Sequence, residues 1–542
     1  MWIFLLLFLT ICIVFPLICI FFTPKFADVK HFFYMPVWKT AALNTFFECI
    51  CSTFFSVLIG FIYAYAVFKA KIPFAKFFSF IPILHLLTPP FVGGLSFILL
   101  LGKKGFITHS LLGLDISLYG FPGLLIAQVL CFFPIAFMIC GESIKGINSS
   151  LIQSAKSLGA GHFKIFFTIT LPLCMPGIIS SVLFIAVSVM SDFGNPMIVG
   201  GRFRVLAVEI YTQLTGWMNA GTSTLLGIIL LIPSVIMFIF QNKLIRKNFA
   251  KTATIGDKSQ NIKTDIFKSC VAVKIILTAF CIFISFCILC QFTAIIAGSF
   301  QKLWGIDTTF TWNHIKNLKK CTAEIQNSLL FALYAAILST FAGGLAVFFV
   351  FRTKSPLKSY FDIVSQLPAA VPCTLFGLAF SIASAKLNFY NSKVLIVIAV
   401  TVGFLPFSYR SVSAGFSQIK TTLDDAAYSL NSGKLKFFFT VLLPLSKGAF
   451  FNAFLYNFVR GVGTMSAVIF LVSFNTPLAS VKILNLAEQG FWGDAAALAL
   501  LLTIVTFVTA GLSKLILNFR YIIKKANLLF YKEKLWNNRK LR

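Results

Sequence analysis

Charge is scarce in this sequence, and negative charge is scarcest. Of 542 residues only 16 are Asp or Glu, and charged residues make up 11%. A water-soluble chain of this length needs far more charged surface, so soluble classes are excluded. Histidine is sparse too: His31, His85, His109, His162 and His314 are scattered and show no metal-ligand spacing. With so few carboxylates, no catalytic cluster can be assembled, which speaks against an enzyme. No GxxxxGK[ST] phosphate loop occurs, so any energy from ATP must come from another chain. The apolar N-terminus, Met1–Phe22, lacks a basic leading region and a small-residue cleavage pattern. It reads as an uncleaved first helix. The 13 cysteines sit mostly singly within apolar runs, and the pair Cys287/Cys290 lies inside a membrane-length segment without polar neighbours. Small buried hydrophobes describe them better than a metal or redox pair.

What the chain has instead is apolar length. It is 58% hydrophobic with a mean hydropathy of +0.91. Runs of about 20 residues, enough for a helix to cross a bilayer, recur from end to end. They predict spans at Trp2–Thr23, Leu43–Phe68, Phe77–Leu101, Phe121–Gly141, Met175–Met190 and Thr224–Gln241. A second set follows at Val271–Ala297, Asn327–Phe351, Phe361–Ser384, Lys393–Ser413, Lys447–Val472 and Ala495–Leu517. The net charge of +30 does not indicate nucleic-acid binding, because the basic residues sit in the connections between spans. Most of the 46 Lys and Arg fall on one side if both termini are cytoplasmic, as positive-inside topology requires. Lys316, Lys319 and Lys320 are exceptions.

The two sets are copies. Asn44/Asn327, Gly60/Gly343, Pro73/Pro356, Pro89/Pro372 and Gly94/Gly377 share an offset of 283. Further on, Pro134/Pro406, Leu206/Leu478 and Ala207/Ala479 share an offset of 272. Chance similarity between apolar helices would not align prolines and glycines, which occupy special backbone positions. Each copy has an even number of spans, so both insert the same way, as a parallel repeat. The organisation expected is a first half over 1–241, a basic linker over 242–269, a second half over 270–517 and a basic tail over 518–542.

The most strongly shared stretch lies between the fourth and fifth spans of each copy. It reads QSAKSLGAGHFKIFFTITLP at Gln153–Pro172 and DAAYSLNSGKLKFFFTVLLP at Asp425–Pro444. Eleven positions from Ala155 to Leu173 are identical at an offset of 272. This resembles the EAA loop of ABC importer permeases: Glu-Ala-Ala, three residues, Gly, nine residues, Ile-x-Leu-Pro. Gly159, Ile169, Leu171 and Pro172 fit that pattern in the first copy; Asp425, Ala426, Ala427, Val441, Leu443 and Pro444 fit it in the second. Gln153 and Ser154 depart from it, and Asn431 stands where the glycine belongs, a residue that tolerates a left-handed turn.

The resemblance implies an all-α integral membrane protein of about 12 transmembrane helices, arranged as two MetI-like six-helix halves of the type I kind. It implies a coupling helix in each half, at Gln153, Ala155, Gly159, Leu171 and Pro172 and at Asp425, Ala426, Ala427, Asn431, Leu443 and Pro444. These would dock on a dimer of ABC ATPase subunits that binds the ATP, leaving this chain without a cofactor or metal. A periplasmic or lipid-anchored solute-binding protein would deliver solute. The location implied is the bacterial inner membrane.

The segments Ser191–Tyr211 and Gly463–Gly490 look like those of fused ferric-iron permeases, and of the closely similar 2-aminoethylphosphonate type. A cation path could use Asp192, Glu209, Tyr211, Glu48 or Glu488; an anion would favour Arg202, Arg204 or Arg460. A charge within a span is costly and points to function by default, which singles out Glu48 and Arg460. A twelve-helix secondary transporter is the rival class, and it would need ion-coupling charges within its helices.

Overall fold

The computed structural model describes residues 2–70, 72–89, 91–113, 118–252, 271–353, 356–420, 422–429, 433–513 and 515, with backbone only for 242, 244–252 and 428. Most of the linker, all of the tail beyond 515, and Asn431 lie outside the described residues. Among the described residues, ten helices are long and apolar enough to cross a membrane, or up to 12 if each of two bent pairs counts as one span. The only strands among the described residues form a small hairpin, Gln301–Leu303 with Asp307–Phe310. Hydrogen bonds from Thr309, with Lys302 beside it, hold the Asp307 carboxyl down to about 2.

The expected third span of each copy is not a continuous helix. In place of Phe77–Leu101 stand Ala75–Leu86 and Phe91–Leu101. In place of Phe361–Ser384 stand Lys358–Ala369 and Cys373–Lys386, bent by 109°. The matched prolines explain the break. Proline has no N–H to give the helix and pushes its predecessor towards extended backbone. Pro372 itself is extended, with φ −53° and ψ 133°.

The fifth spans differ between copies. In the first, His162–Met190 runs without a sharp break, far beyond the expected Met175 start. In the second, Lys434–Leu445 and Lys447–Val462 meet at 79°, and the helix stops at Val462 rather than Val472. Ser446 sits at the corner and donates its hydroxyl to the Leu442 carbonyl at 2.5 Å, a back-bond that bends helices. Its counterpart, Cys174, is a fully buried thiol. Both copies widen into a π-helical turn just before Leu-Pro, at Phe166–Thr170 and Phe438–Leu442. The Leu171 and Leu443 amides bond five residues back, to the carbonyls of Phe166 and Phe438, immediately before a proline that has no N–H to give.

The repeat extends to side-chain capping. Thr45 accepts a hydrogen bond from the Leu206 amide (2.8 Å), at the start of the helix Leu206–Tyr211. Ser328, the same position in the second copy, accepts one from the Ala479 amide (2.9 Å), at the start of Ala479–Glu488. Asn44 and Asn327 donate to the carbonyls of Arg204 and Pro477 in the same two places.

The halves exchange their first helices. Phe15–Phe21 packs against Cys373–Lys386 of the second half, and Thr10 and Tyr360 share a 2.6 Å hydrogen bond. Reciprocally, Val271–Phe300 packs against Phe91–Leu101 and Pro36–Phe68 of the first half. Tyr63 donates to the Phe78 carbonyl (2.9 Å), so its oxygen accepts from Ser285 (2.9 Å). Only 22% of the Val271–Phe300 window is buried, against 72% for Asn313–Phe351, so the former lies at the periphery and the latter in the core.

Matched glycines let core helices touch. A Cβ on Gly60 would meet the Ala136 side chain, and the Phe133 and Phe137 backbone at 2.8 Å; one on Gly343 would meet Ser408 at 2.7 Å. We therefore expect Gly60→Leu and Gly343→Leu to destabilise by about 1–3 kcal/mol through overpacking, read as a lower melting temperature in detergent. Gly403→Leu, where a Cβ meets nothing within 4 Å, should leave it unchanged. Equal melting of all three variants would contradict the close approach.

Candidate functional site

Two regions gather the residues singled out in the sequence: a pair of helical knuckles at one end of the bundle, and a seam between the halves.

The first knuckle begins at Asn148, whose side chain accepts from the Ser150 amide at 3.0 Å and caps the helix Ser149–Ser157. The helix ends at Leu158, and Gly159 turns the chain with φ +80°. That left-handed region disfavours any residue with a Cβ. The chain then re-enters helix at His162. The second knuckle is Thr422–Ser429, followed by helix again from Lys434.

Gln153, Ala155 and Ala427 are half-buried, while Pro172, Asp425, Ala426 and Pro444 are exposed. Leu171 and Leu443 are half-buried and pack into their own bundle, against the clusters containing Phe61 and Phe348 respectively. The uncovered apolar residues are others: Leu158 is 87% exposed and Phe163 76%, with Phe167, Leu423, Leu435 and Phe439 exposed as well. Leu158 could have been found in the sequence, since it sits between a polar helix and a turn glycine.

One ion pair was missed. Arg352, with a side chain only 4% exposed, meets Asp424 at 2.6 Å and donates to the carbonyls of Phe416 (2.8 Å) and Ile419 (2.6 Å). The pair pins the second knuckle to the end of Asn313–Phe351. In the first copy the Asp424 position is Ile152, which is buried, so apolar packing stands there where the second copy has an ion pair. Asp424 stands just before Asp425, the residue that falls on the EAA pattern.

At the seam, the first half carries a buried polar cluster. Asp192, 8% exposed, accepts from Gln128 (3.1 Å) and from the Asn195 side chain (2.9 Å). Ser52 donates to Gln128 at 2.8 Å. Glu48, 2% exposed, lies beside Gln128 and Asp192. The second half has Phe331, Ala335, Val400, Thr464 and Ala467 at the corresponding positions. The polar cluster is therefore a property of one half, not of the repeat.

The other pathway candidates separate. Glu209 lies 3.7 Å from Arg204. Tyr211 stacks edge-on with Phe193 of its own half and Phe470 of the other, at 5.2 and 5.9 Å between ring centres. Arg460 lines a small cavity with His85, Thr88, Pro89 and Cys131 of the first half. Glu488 is exposed at the end of Ala479–Glu488, away from these groups. Where the halves touch, a Cβ on Gly463 would meet Pro89 at 2.6 Å, and one on Gly194 would meet Met465 at 2.8 Å. No group of three or more potential metal ligands occurs among the described residues.

Known proteins resemble this chain in sequence. The chain matches the family described as binding-protein-dependent transport system inner membrane component twice, over residues 56–249 and 328–518. It is 32% identical over 461 residues to the ferric transport system permease protein FbpB of Actinobacillus pleuropneumoniae, covering 82% of this chain and 66% of that one. It is 31% identical over 489 residues to the putative ferric transport system permease protein FbpB 1 of Haemophilus influenzae, covering 86% and 76%. A shorter match, 27% identical over 186 residues, links 33% of it to 80% of the molybdenum transport system permease protein ModB of Escherichia coli.

Removing one partner from a buried ion pair strands the other, at a cost of about 3–5 kcal/mol; the slight exposure of Asp424 puts this pair at the lower end. Arg352→Ala should therefore loosen the second knuckle. Hydrogen exchange at 422–429 should quicken at least tenfold, with no change at 149–157. Unchanged exchange would mean the pair does not hold the helix.

Proposed function

The chain belongs to the family of binding-protein-dependent transport system inner membrane components, and on that premise we propose that it supplies both membrane halves of an ATP-driven importer. It is a multi-pass membrane protein and a transport subunit rather than an enzyme. ATP is bound and hydrolysed by two separate ATPase subunits, one under each knuckle. A separate solute-binding protein docks at the opposite end. The knuckle end and both termini face the cytoplasm, in keeping with the basic linker and tail. Ferric iron, named for the FbpB relatives, is the solute proposed.

One observation carries this reading. The same knuckle occurs at the same place in both repeats, each with apolar side chains that its own bundle leaves uncovered. An apolar cluster at a helix turn fits a partner's groove. Closure of an ATPase dimer would push both knuckles together. In the first copy the push enters a helix that continues from His162 to Met190 at the seam.

Leu158→Asp or Phe163→Asp should reduce co-purification of the ATPase at least tenfold while leaving membrane insertion intact. Full retention of the ATPase by both variants would sink the assignment. Gly159→Val should uncouple solute from ATP hydrolysis. Its Cβ would meet nothing within 4 Å, so the cost is backbone strain alone, about 1–2 kcal/mol. Gly159→Asn, the residue of the second copy, should be tolerated. Solute-stimulated ATPase activity checks this, and wild-type stimulation in Gly159→Val would argue against the turn's role.

A further inference from the structure

The cavity between the halves has an arginine where a cation path would need carboxylates. Arg460 comes from the second half, and the remaining lining residues, among them His85, Thr88 and Cys131, come from the first. No carboxylate lines this cavity, and none among the described residues lies within ion-pair distance of Arg460. His85 is buried, with its Nδ1 lacking a hydrogen-bond partner. The nearby acids are closed off: Asp192 is engaged by Gln128 and Asn195, and Glu48 is 2% exposed. An unpaired guanidinium is a planar, five-donor site that matches carboxylate and phosphate oxygens, and it repels a bare trivalent cation.

The end of the bundle away from the knuckles has the same sign. A cavity of about 350 Å³ opens between the halves there, lined by Lys103, Lys104 and Lys302. Of these, Lys302 is paired with Asp307 at 3.1 Å, while Lys103 and Lys104 have no carboxylate within ion-pair distance among the described residues. A neighbouring cavity of about 150 Å³ is lined by Lys320 and Lys482. Asp494, at the wall of both, is engaged by His314 (2.8 Å) and Asn317 (3.1 Å). A cleft lined by one sign of charge concentrates the opposite ion.

We infer that the solute crosses this chain as a net anion rich in oxygen, with Arg460 as the group that recognises it between the halves. This rests on the importer reading and narrows its cargo. Two sources share the chemistry: a free oxyanion, or ferric iron enclosed by anionic oxygen ligands. Iron is a hard cation that keeps such ligands.

Cys131, on the cavity wall, is a native reporter. The assembled importer in membrane vesicles would be treated, during ATP turnover, with an anionic or a cationic methanethiosulfonate of similar size. Modified Cys131 would be quantified by peptide mass spectrometry. The anionic reagent should react about tenfold faster. Arg460→Gln should abolish that preference and Arg460→Lys should keep it, so that loss with both would mean damage to packing rather than charge recognition and would overturn the proposal. A ratio favouring the cationic reagent, or no modification of Cys131 in any nucleotide state, would overturn it as well. If the anionic preference holds but labelling ignores ATP, the importer reading fails while the charge assignment stands. Protection of Cys131 by inorganic phosphate would identify a free oxyanion. Protection by ferric citrate and not by phosphate or citrate alone would identify an anionic iron complex. Protection by cobalt(III) hexammine alone, an inert trivalent cation, would refute both.

Discussion

Each half of this protein is completed by a helix from the other, and the remaining architecture depends on that exchange. In a bilayer the lipid tails are as apolar as the helices, so association gains little from burying hydrophobic surface. It relies on close packing and on sparse hydrogen bonds averaging about 0.6 kcal/mol. Thr10 with Tyr360 and Tyr63 with Ser285 are two such bonds, and each crosses between halves. Neither half can then move without carrying a helix of its partner. Elsewhere the halves meet through close approach alone, with Gly463 against Pro89 and Gly194 against Met465.

Much of this was legible in the sequence because it rests on backbone chemistry. Prolines and glycines at a fixed offset disclosed the repeat, and the two EAA-like stretches disclosed the knuckles. Pro89 and Pro372 also carried the signal for the broken third spans, but hydropathy over a long window averages a two-residue interruption away. The exchange of first helices left no trace, since an apolar helix reads the same whichever neighbour it meets. The anchor of the second knuckle, Asp424, lies next to the motif residue Asp425 and was not singled out. Only the tertiary position of Arg352 distinguishes those two carboxylates. Leu171 and Leu443 belong to the motif and pack inward, so the side chains left for a partner are the less motif-like Leu158 and Phe163.

The halves have also diverged where symmetry would be least useful. A parallel repeat would place equal groups on both sides of the seam. Here a polar cluster built on Glu48, Gln128, Asp192 and Asn195 in the first half is replaced by Phe331, Val400, Thr464 and Ala467 at the equivalent positions of the second. The second half contributes the arginine instead. Burying Asp192 among amide donors satisfies it locally, which lets the seam keep one unsatisfied charge of the opposite sign. A seam with paired charges would be locked by them; one with a single unpaired guanidinium leaves its strongest interaction to whatever enters.

The bend at Ser446 gives the divergence a mechanical side. On the first side, the helix from His162 to Met190 spans about 43 Å at 1.5 Å per residue. It runs from the knuckle turn to the stretch holding Asp192 and Gly194. On the second side the equivalent path turns by 79° before it reaches Arg460 and Gly463. A straight strut transmits axial displacement, whereas a cranked one converts part of it into rotation. Under the importer reading proposed above, an equal push at both knuckles would reach the two seam contacts, Gly194 with Met465 and Gly463 with Pro89, along unlike paths. The two contacts that close the seam are thus reached by a helix without a sharp break on one side and a bent pair on the other, so the two walls of the cavity are coupled to their knuckles by unlike levers.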